Sequence, residues 1–167
     1  MKHGNAVGLD YHSEFVQVAV IDTRGRLLGN RNCPHDWQAI RSMAGAYGPV
    51  ARAAIEACCG AADLAEQLVQ EAGWHVELAH PGDVARMKQT PDKSDFTDAQ
   101  LLADLTRVGY LPKVWLAPQP VRELRALVRY RASLVDDRRR LKQRARSVLR
   151  EQRVANTSGA KTWTMKD

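Results

Sequence analysis

Cysteine is scarce in this chain and poorly placed for a covalent or metal framework. Of 167 residues three are cysteine, Cys33, Cys58 and Cys59. An odd number with one adjacent pair yields neither a disulfide framework nor a C-x-x-C knuckle, so all three are expected to be small buried residues. The five histidines, His3, His12, His35, His75 and His80, include no pair at i, i+4 spacing, and imidazole-rich zinc chemistry is not expected. Long apolar runs are also missing. Nothing approaches the roughly 20 residues that a membrane span requires, and the stretch Met1 to Asp10 lacks the apolar core of a signal peptide. A cytoplasmic protein without a membrane partner is the expectation. With 6% aromatic, 26% charged and 44% hydrophobic residues, the chain suits one globular domain plus a helical appendage and is too short for two full-sized lobes.

What is abundant is positive charge, and it is unevenly spread. Residues 1–111 hold 10 Lys/Arg against 14 Asp/Glu, net −4, whereas residues 112–153 hold 13 against 4, net +9, and residues 154–167 add +1. The basic stripe includes Arg138, Arg139, Arg140, Lys142, Arg144 and Arg146. Such a stripe binds a polyanion by releasing its counterions, or it is a solvated helix face; charge alone leaves the two readings even.

Ala6 to Tyr11, the alternating Phe15 to Ile21 and the segment from Arg26 to Asn30 read as a three-stranded antiparallel meander, with Asp22-Thr23-Arg24-Gly25 supplying a turn. The pattern then becomes α/β. Asp36 to Tyr47 predicts a helix, Val50 to Ala57 a buried strand, Ala61 to Ala72 a helix closed by Gly73, and His75 to Ala79 a short strand. Pro81-Gly82 breaks the chain before a short helix from Asp83 to Lys88, and Ser94 caps a helix that runs to Gly109. Beyond Pro118 and Pro120, Leu127, Leu134, Leu141 and Val148 recur every seven residues, the signature of a long helix that packs as a coiled coil. Asn156 to Lys161 reads as a loop.

Four carboxylates carry the chemistry. Asp10 sits among apolar residues of a strand expected to be central, where an uncompensated charge is costly. Glu56 ends the apolar run Ala53-Ala54-Ile55, and Asp95 and Asp98, three apart, share one helical face. Singly, each is more often a solvated strand end or a helix-dipole partner. If the four converge, each close pair repels by about 4 kcal/mol at ~4 Å and an effective dielectric of ~20, which a divalent cation relieves. Oxygen-only ligands favour Mg²⁺ or Mn²⁺, and two such ions suit in-line phosphoryl transfer. The chemistry implied is phosphodiester cleavage or strand transfer.

Gly8-Leu9-Asp10-Tyr11-His12, Ile55-Glu56-Ala57, His80-Pro81-Gly82 and Lys93-Ser94-Asp95-Phe96-Thr97-Asp98-Ala99, in this order of elements, resemble the RNase H-like fold in its RuvC form. More closely, they resemble the N-terminal catalytic domain of DEDD transposases of the insertion-sequence family numbered one-ten. The resemblance spans about residues 5–150, and its most specific part is K-x-D-x-x-D-A, with Ser94 where Thr is frequent. It implies an α/β fold with a mixed central sheet followed by a long basic helix. It further implies that Asp10, Glu56, Asp95 and Asp98 are the catalytic, Mg²⁺-binding tetrad (or Mn²⁺, two ions), acting in RNA-guided DNA strand cleavage and exchange. DNA, a structured guide RNA and a second copy joined through the long helix are the implied partners. The expected organisation is a catalytic domain over 1–111, a helical segment over 112–155 and a loop tail over 156–167 of a truncated chain that lacks the family's serine domain. Two alternatives within nucleic-acid chemistry are a Holliday-junction-resolvase-like nuclease and a non-catalytic binding or dimerisation module. An actin-like sugar kinase also opens with Gly-x-Asp and a hairpin, but its phosphate loop has glycine soon after the Asp, where Tyr11 and His12 stand here.

Overall fold

The computed structural model describes residues 4–88 and 94–153; Lys93 and the expected loop at 156–161 lie outside them. The described residues fall into two compact units, divided between Leu116 and Ala117.

In the first unit the elements are β1 (Asn5–Tyr11), β2 (Val16–Ile21), β3 (Leu27–Cys33), α1 (Trp37–Gly45), β4 (Val50–Glu56), α2 (Ala61–Gln70), β5 (Val76–Ala79), α3 (Pro81–Met87), α4 (Asp95–Val108) and β6 (Lys113–Val114). They build one six-stranded sheet in the order β3-β2-β1-β4-β5-β6. The meander is antiparallel, β4 and β5 run parallel to β1, and β6 returns antiparallel on the far edge. The turn between β2 and β3 is fixed by Asp22, whose Oδ1 accepts the N–H groups of Arg24 and Arg26 at 2.8 and 2.9 Å. Gly25 takes φ +85° there, a conformation that costs an L side chain.

Every residue of β2 is buried, which is why its valines follow one another so closely: both faces of the sheet are covered. On one face Val7, Leu9, Val18, Ile55 and Leu78 pack with Ile40 of α1 and Leu64 and Leu68 of α2. On the other, Ala6 and Ala19 meet Ala99 and Ala103 of α4, and Ala54 meets Leu102. Small residues dominate this second face because α4 lies almost on the sheet. A Cβ built on Gly8 would stand 1.9 Å from the Ala99 carbonyl oxygen and 2.5 Å from the Ala103 nitrogen. Glycine at position 8 therefore sets the distance between β1 and α4.

Four local expectations need correction. Pro81 starts α3 instead of breaking the chain, since proline at the first helical position gives up an N–H that has no intrahelical partner. Strand β3 continues to Cys33, and the two-residue β6, unforeseen in the sequence, pairs Val114 with Leu78. Of the cysteines only Cys33 is buried; Cys58 and Cys59 are exposed in the turn that leaves β4.

The second unit is dominated by α5 (Gln119–Glu151), 33 residues and about 50 Å long. None of its residues is buried. Leu127, Leu134, Leu141 and Val148 are 50–67% exposed among the described residues. No helix among the described residues is long and apolar enough to cross a membrane.

Candidate metal centre

The carboxylates gather where β1 and β4 end. These strands are parallel with Leu9 opposite Ile55, so Asp10 and Glu56 follow as the next residues of adjacent strands. Leu9 and Ile55 enter the α1–α2 core; strand alternation turns Asp10 and Glu56 to the opposite face, the one α4 covers. The first turn of α4 arrives at the same place. Its cap is Ser94, whose Oγ accepts the Thr97 N–H at 3.2 Å, and Asp95 and Asp98 occupy the turn that follows, where the helix dipole favours negative charge. The start of α4 is also tied to the meander: the Gln17 amide donates to Asn30 Oδ1 at 2.6 Å, and Asn30 Nδ2 donates to the Phe96 carbonyl at 2.8 Å.

A histidine stands between two of the acids. His12 Nε2 lies 3.0 Å from Asp10 Oδ2 and 3.3 Å from Asp95 Oδ1. Ligand atoms of Asp10, His12 and Asp95 all lie within 4.8 Å of one another. Glu56 and Asp98 are outside this triad. Asp98, only 7% exposed, holds a cation of its own, with Lys88 Nζ 2.6 Å from Oδ2. The electrostatics still join these groups. Burial pushes the Asp10 carboxyl above the usual aspartate range; the charge and hydrogen bond of His12 oppose this, and the charges of Asp98 and Asp95 push it further up. Cys58, though exposed, is partly shielded from water by the turn around it, which raises its thiol; a hydrogen bond from the Ala61 backbone opposes this, and the charges of Glu56 and Asp10 add to the rise. Asp10, Asp95 and Asp98 thus share one field, with Glu56 in reach of Asp10's surroundings.

This donor set fits a divalent ion. Carboxylate oxygens and an imidazole nitrogen lie at one end of the sheet, one carboxylate is destabilised by burial and like charge, and a protein cation already sits against the acids. His12 is the residue that reading the sequence for acids and helical histidine pairs passes over. Its signal is present: two residues beyond Asp10, it returns to the same side of an extended chain. Lys88 gives no comparable signal, since its partner is ten residues away in the following helix.

The six basic residues singled out in the sequence all lie on α5. Arg138, Arg139, Arg140, Arg144 and Arg146 are exposed, and Lys142 is half-buried. Three consecutive arginines span a little over half of the helix circumference, while the i, i+4 spacings 138/142/146 and 140/144 make two basic rows. Arg140 pairs with Asp137 at 2.5 Å.

A family model described as a transposase, that of the DEDD type of IS110 elements, matches residues 7–153. The chain belongs to this family. No curated protein matches it. Among solved structures, this DEDD transposase chain is similar to T. thermophilus RuvC in complex with Holliday junction substrate, at 15% identity and a TM-score of 0.50, over 67% of this chain and 100% of that one. The likeness shows the fold: the mixed sheet is RNase H-like in its RuvC form. A second similarity, to inorganic polyphosphate/ATP-glucomannokinase from Arthrobacter sp. strain KM, covers 50% of this chain and 46% of that one at 14% identity, and its TM-score of 0.34 carries no argument.

Proposed function

We propose that this chain is the DEDD catalytic domain of an RNA-guided transposase, the domain that takes part in DNA strand cleavage and exchange alongside the family's serine domain, with Asp10, Glu56, Asp95 and Asp98 as its catalytic acids. The observation that carries the reading is the meeting of the β1 end with the first turn of α4, where Asp10 and Asp95 come within one histidine's reach of each other. Mg²⁺, or Mn²⁺ in its place, is the ion proposed, two per site. The chemistry such ions supply when bound is polarisation of the scissile phosphate and activation of the attacking oxygen.

The chain's own residues do the rest. Asp10 and Asp95 present oxygens on either side of His12, and Glu56 extends the ligand surface along the neighbouring strand end. Gly8 fixes the helix-to-sheet distance that sets the spacing of these acids, and the Gln17–Asn30–Phe96 chain of hydrogen bonds holds the start of α4 in place. A carboxylate whose ionised form is disfavoured by burial gains most from an arriving cation. That makes Asp10 the acid on which ion binding depends most.

The division of labour proposed is a catalytic domain over 1–111 and a nucleic-acid and self-association segment over 112–155. Arg138, Arg139, Arg140, Lys142, Arg144 and Arg146 hold DNA or the guide RNA through phosphates, and the apolar stripe at Leu127, Leu134, Leu141 and Val148 joins a second copy in a coiled coil. The test is Mn²⁺ calorimetry together with cleavage of branched DNA. Wild-type protein binds the ion, and Asp10→Ala loses both binding and cleavage while keeping its salt-sensitive affinity for DNA. Ion affinity unchanged in Asp10→Ala refutes the site; DNA affinity without ion binding in the wild type favours a non-catalytic binding module.

A further inference from the structure

The pairing of Lys88 with Asp98 differs from the chain's helix-surface ion pairs. Arg86–Asp83, Arg107–Asp104 and Arg140–Asp137 are i, i+3 contacts between neighbours on one helix, the kind that contributes little to stability. Lys88 instead leaves the end of α3 and reaches into α4, where its side chain and that of Asp98 are 23% and 10% exposed. A carboxylate so far removed from water needs a cation beside it. Among the described residues, Lys88 is that cation.

We propose that Lys88 is the resident counter-ion of the acid cluster, and that loading of a divalent ion is an exchange in which the ammonium leaves Asp98. This rests on the reading of the cluster as a divalent-ion site. The two cations compete for the same oxygen: Asp98 Oδ2 already accepts the ammonium at 2.6 Å. His12 differs in kind, because a neutral imidazole can itself become a ligand, whereas an ammonium has no lone pair to offer. Lys88 can only withdraw or repel. Its flexible four-carbon stem permits withdrawal without movement of the backbone. Lys88 is thus a positioning residue. It balances the Asp98 charge and keeps the first turn of α4 seated while no ion is bound, and it lowers ion affinity by the cost of its own displacement.

Amine labelling read by mass spectrometry tests this on the intact wild-type chain. Lys113 is the internal reference, because it also pairs with a carboxylate, that of Glu77, remote from the cluster. With chelator present, Lys88 labels slowly. With saturating Mg²⁺ its labelling rises several-fold while that of Lys113 stays constant. Calorimetry of Lys88→Gln gives the second measurement: Mn²⁺ affinity rises on the order of tenfold, as expected when a like charge a few ångströms from an ion is removed and screening takes up most of the repulsion. Arg86→Gln, an equal change in net charge, leaves the affinity within about twofold. Wild-type protein that binds the ion with Lys88 labelling unchanged, or equal tightening in both variants, overturns the exchange and leaves the site standing. Absence of ion binding in both wild type and Lys88→Gln overturns the site and the exchange together.

Discussion

Gly8→Ala is the smallest change that tests how the site is built. The new Cβ would meet the Ala99 carbonyl oxygen at 1.9 Å, the Ala103 nitrogen at 2.5 Å and the Ala99 carbonyl carbon at 3.0 Å. All three are backbone atoms of α4, so no side chain can rotate away. Ordinary contact begins at 3.4 Å, and the helix must retreat from the strand by about 1.5 Å. Ala99, Leu102 and Ala103, each fully buried, lose part of their packing in the process. An overpacked core interface of this kind costs about 3 kcal/mol. The retreat also carries Asp95 away from Asp10 and His12, where the present separation of 3.3 Å to the imidazole leaves no slack. Denaturant unfolding and Mn²⁺ calorimetry together read both effects, and both should move. Gly45→Ala is the control: nothing lies within 4 Å of a Cβ there, and alanine in a helix is neutral or stabilising by up to about 1 kcal/mol. Gly8→Ala protein with stability within about 0.5 kcal/mol of wild type and unaltered ion affinity would refute the argument that glycine sets the spacing of the acids.

Asp10→Asn should leave ion-free stability at neutral pH unchanged or higher while abolishing Mn²⁺ binding. Its folded-state pKa lies above 3.8, so its contribution is fully present below that value and is lost as pH rises through the raised pKa; a clear loss of stability at pH 7 would contradict this. Glu77 behaves oppositely. Burial alone would raise its carboxyl, but hydrogen bonds from Lys113, His75 and Thr106 hold it below 4.5, so the stability it confers is present above pH 4.5 and is lost as pH falls through the lowered value. Glu77→Gln should cost roughly 1–3 kcal/mol at neutral pH and flatten the acid limb of the stability profile. Replacing Arg138, Arg139 and Arg140 with Glu should weaken DNA or RNA binding and flatten its salt dependence, by about 0.7 to 0.9 in log–log slope for each phosphate no longer neutralised. Light scattering that finds only monomers at high micromolar concentration would remove the coiled-coil proposal for α5.

The parts of the candidate site legible in the sequence are those that local chemistry announces. Asp10 stands out because apolar strand residues surround it, and Glu56 because it closes the run Ala53-Ala54-Ile55. Ser94 followed by acids is a helix start readable without coordinates. The parts that stay hidden depend on distance through space. Gly8 reads as a strand residue of no distinction until α4 lies against it, and Asn30 reads as the end of a hairpin until its amide finds the Phe96 carbonyl. His12 is hidden for another reason: i, i+4 spacing reveals histidine partners on a helix, whereas on an extended chain the period that brings ligands together is two. The exposure of Cys58 and Cys59 follows from their place in a turn, which residue type alone does not reveal.

The most direct test of the central claim is anomalous diffraction from crystals of this chain soaked in Mn²⁺. The account predicts manganese at the end of β1, ligated by carboxylate oxygens of Asp10 and Asp95, with Lys88 withdrawn from Asp98. Diffraction from fully soaked crystals that shows no manganese there, with His12 still bridging Asp10 and Asp95 and Lys88 still on Asp98, would contradict it.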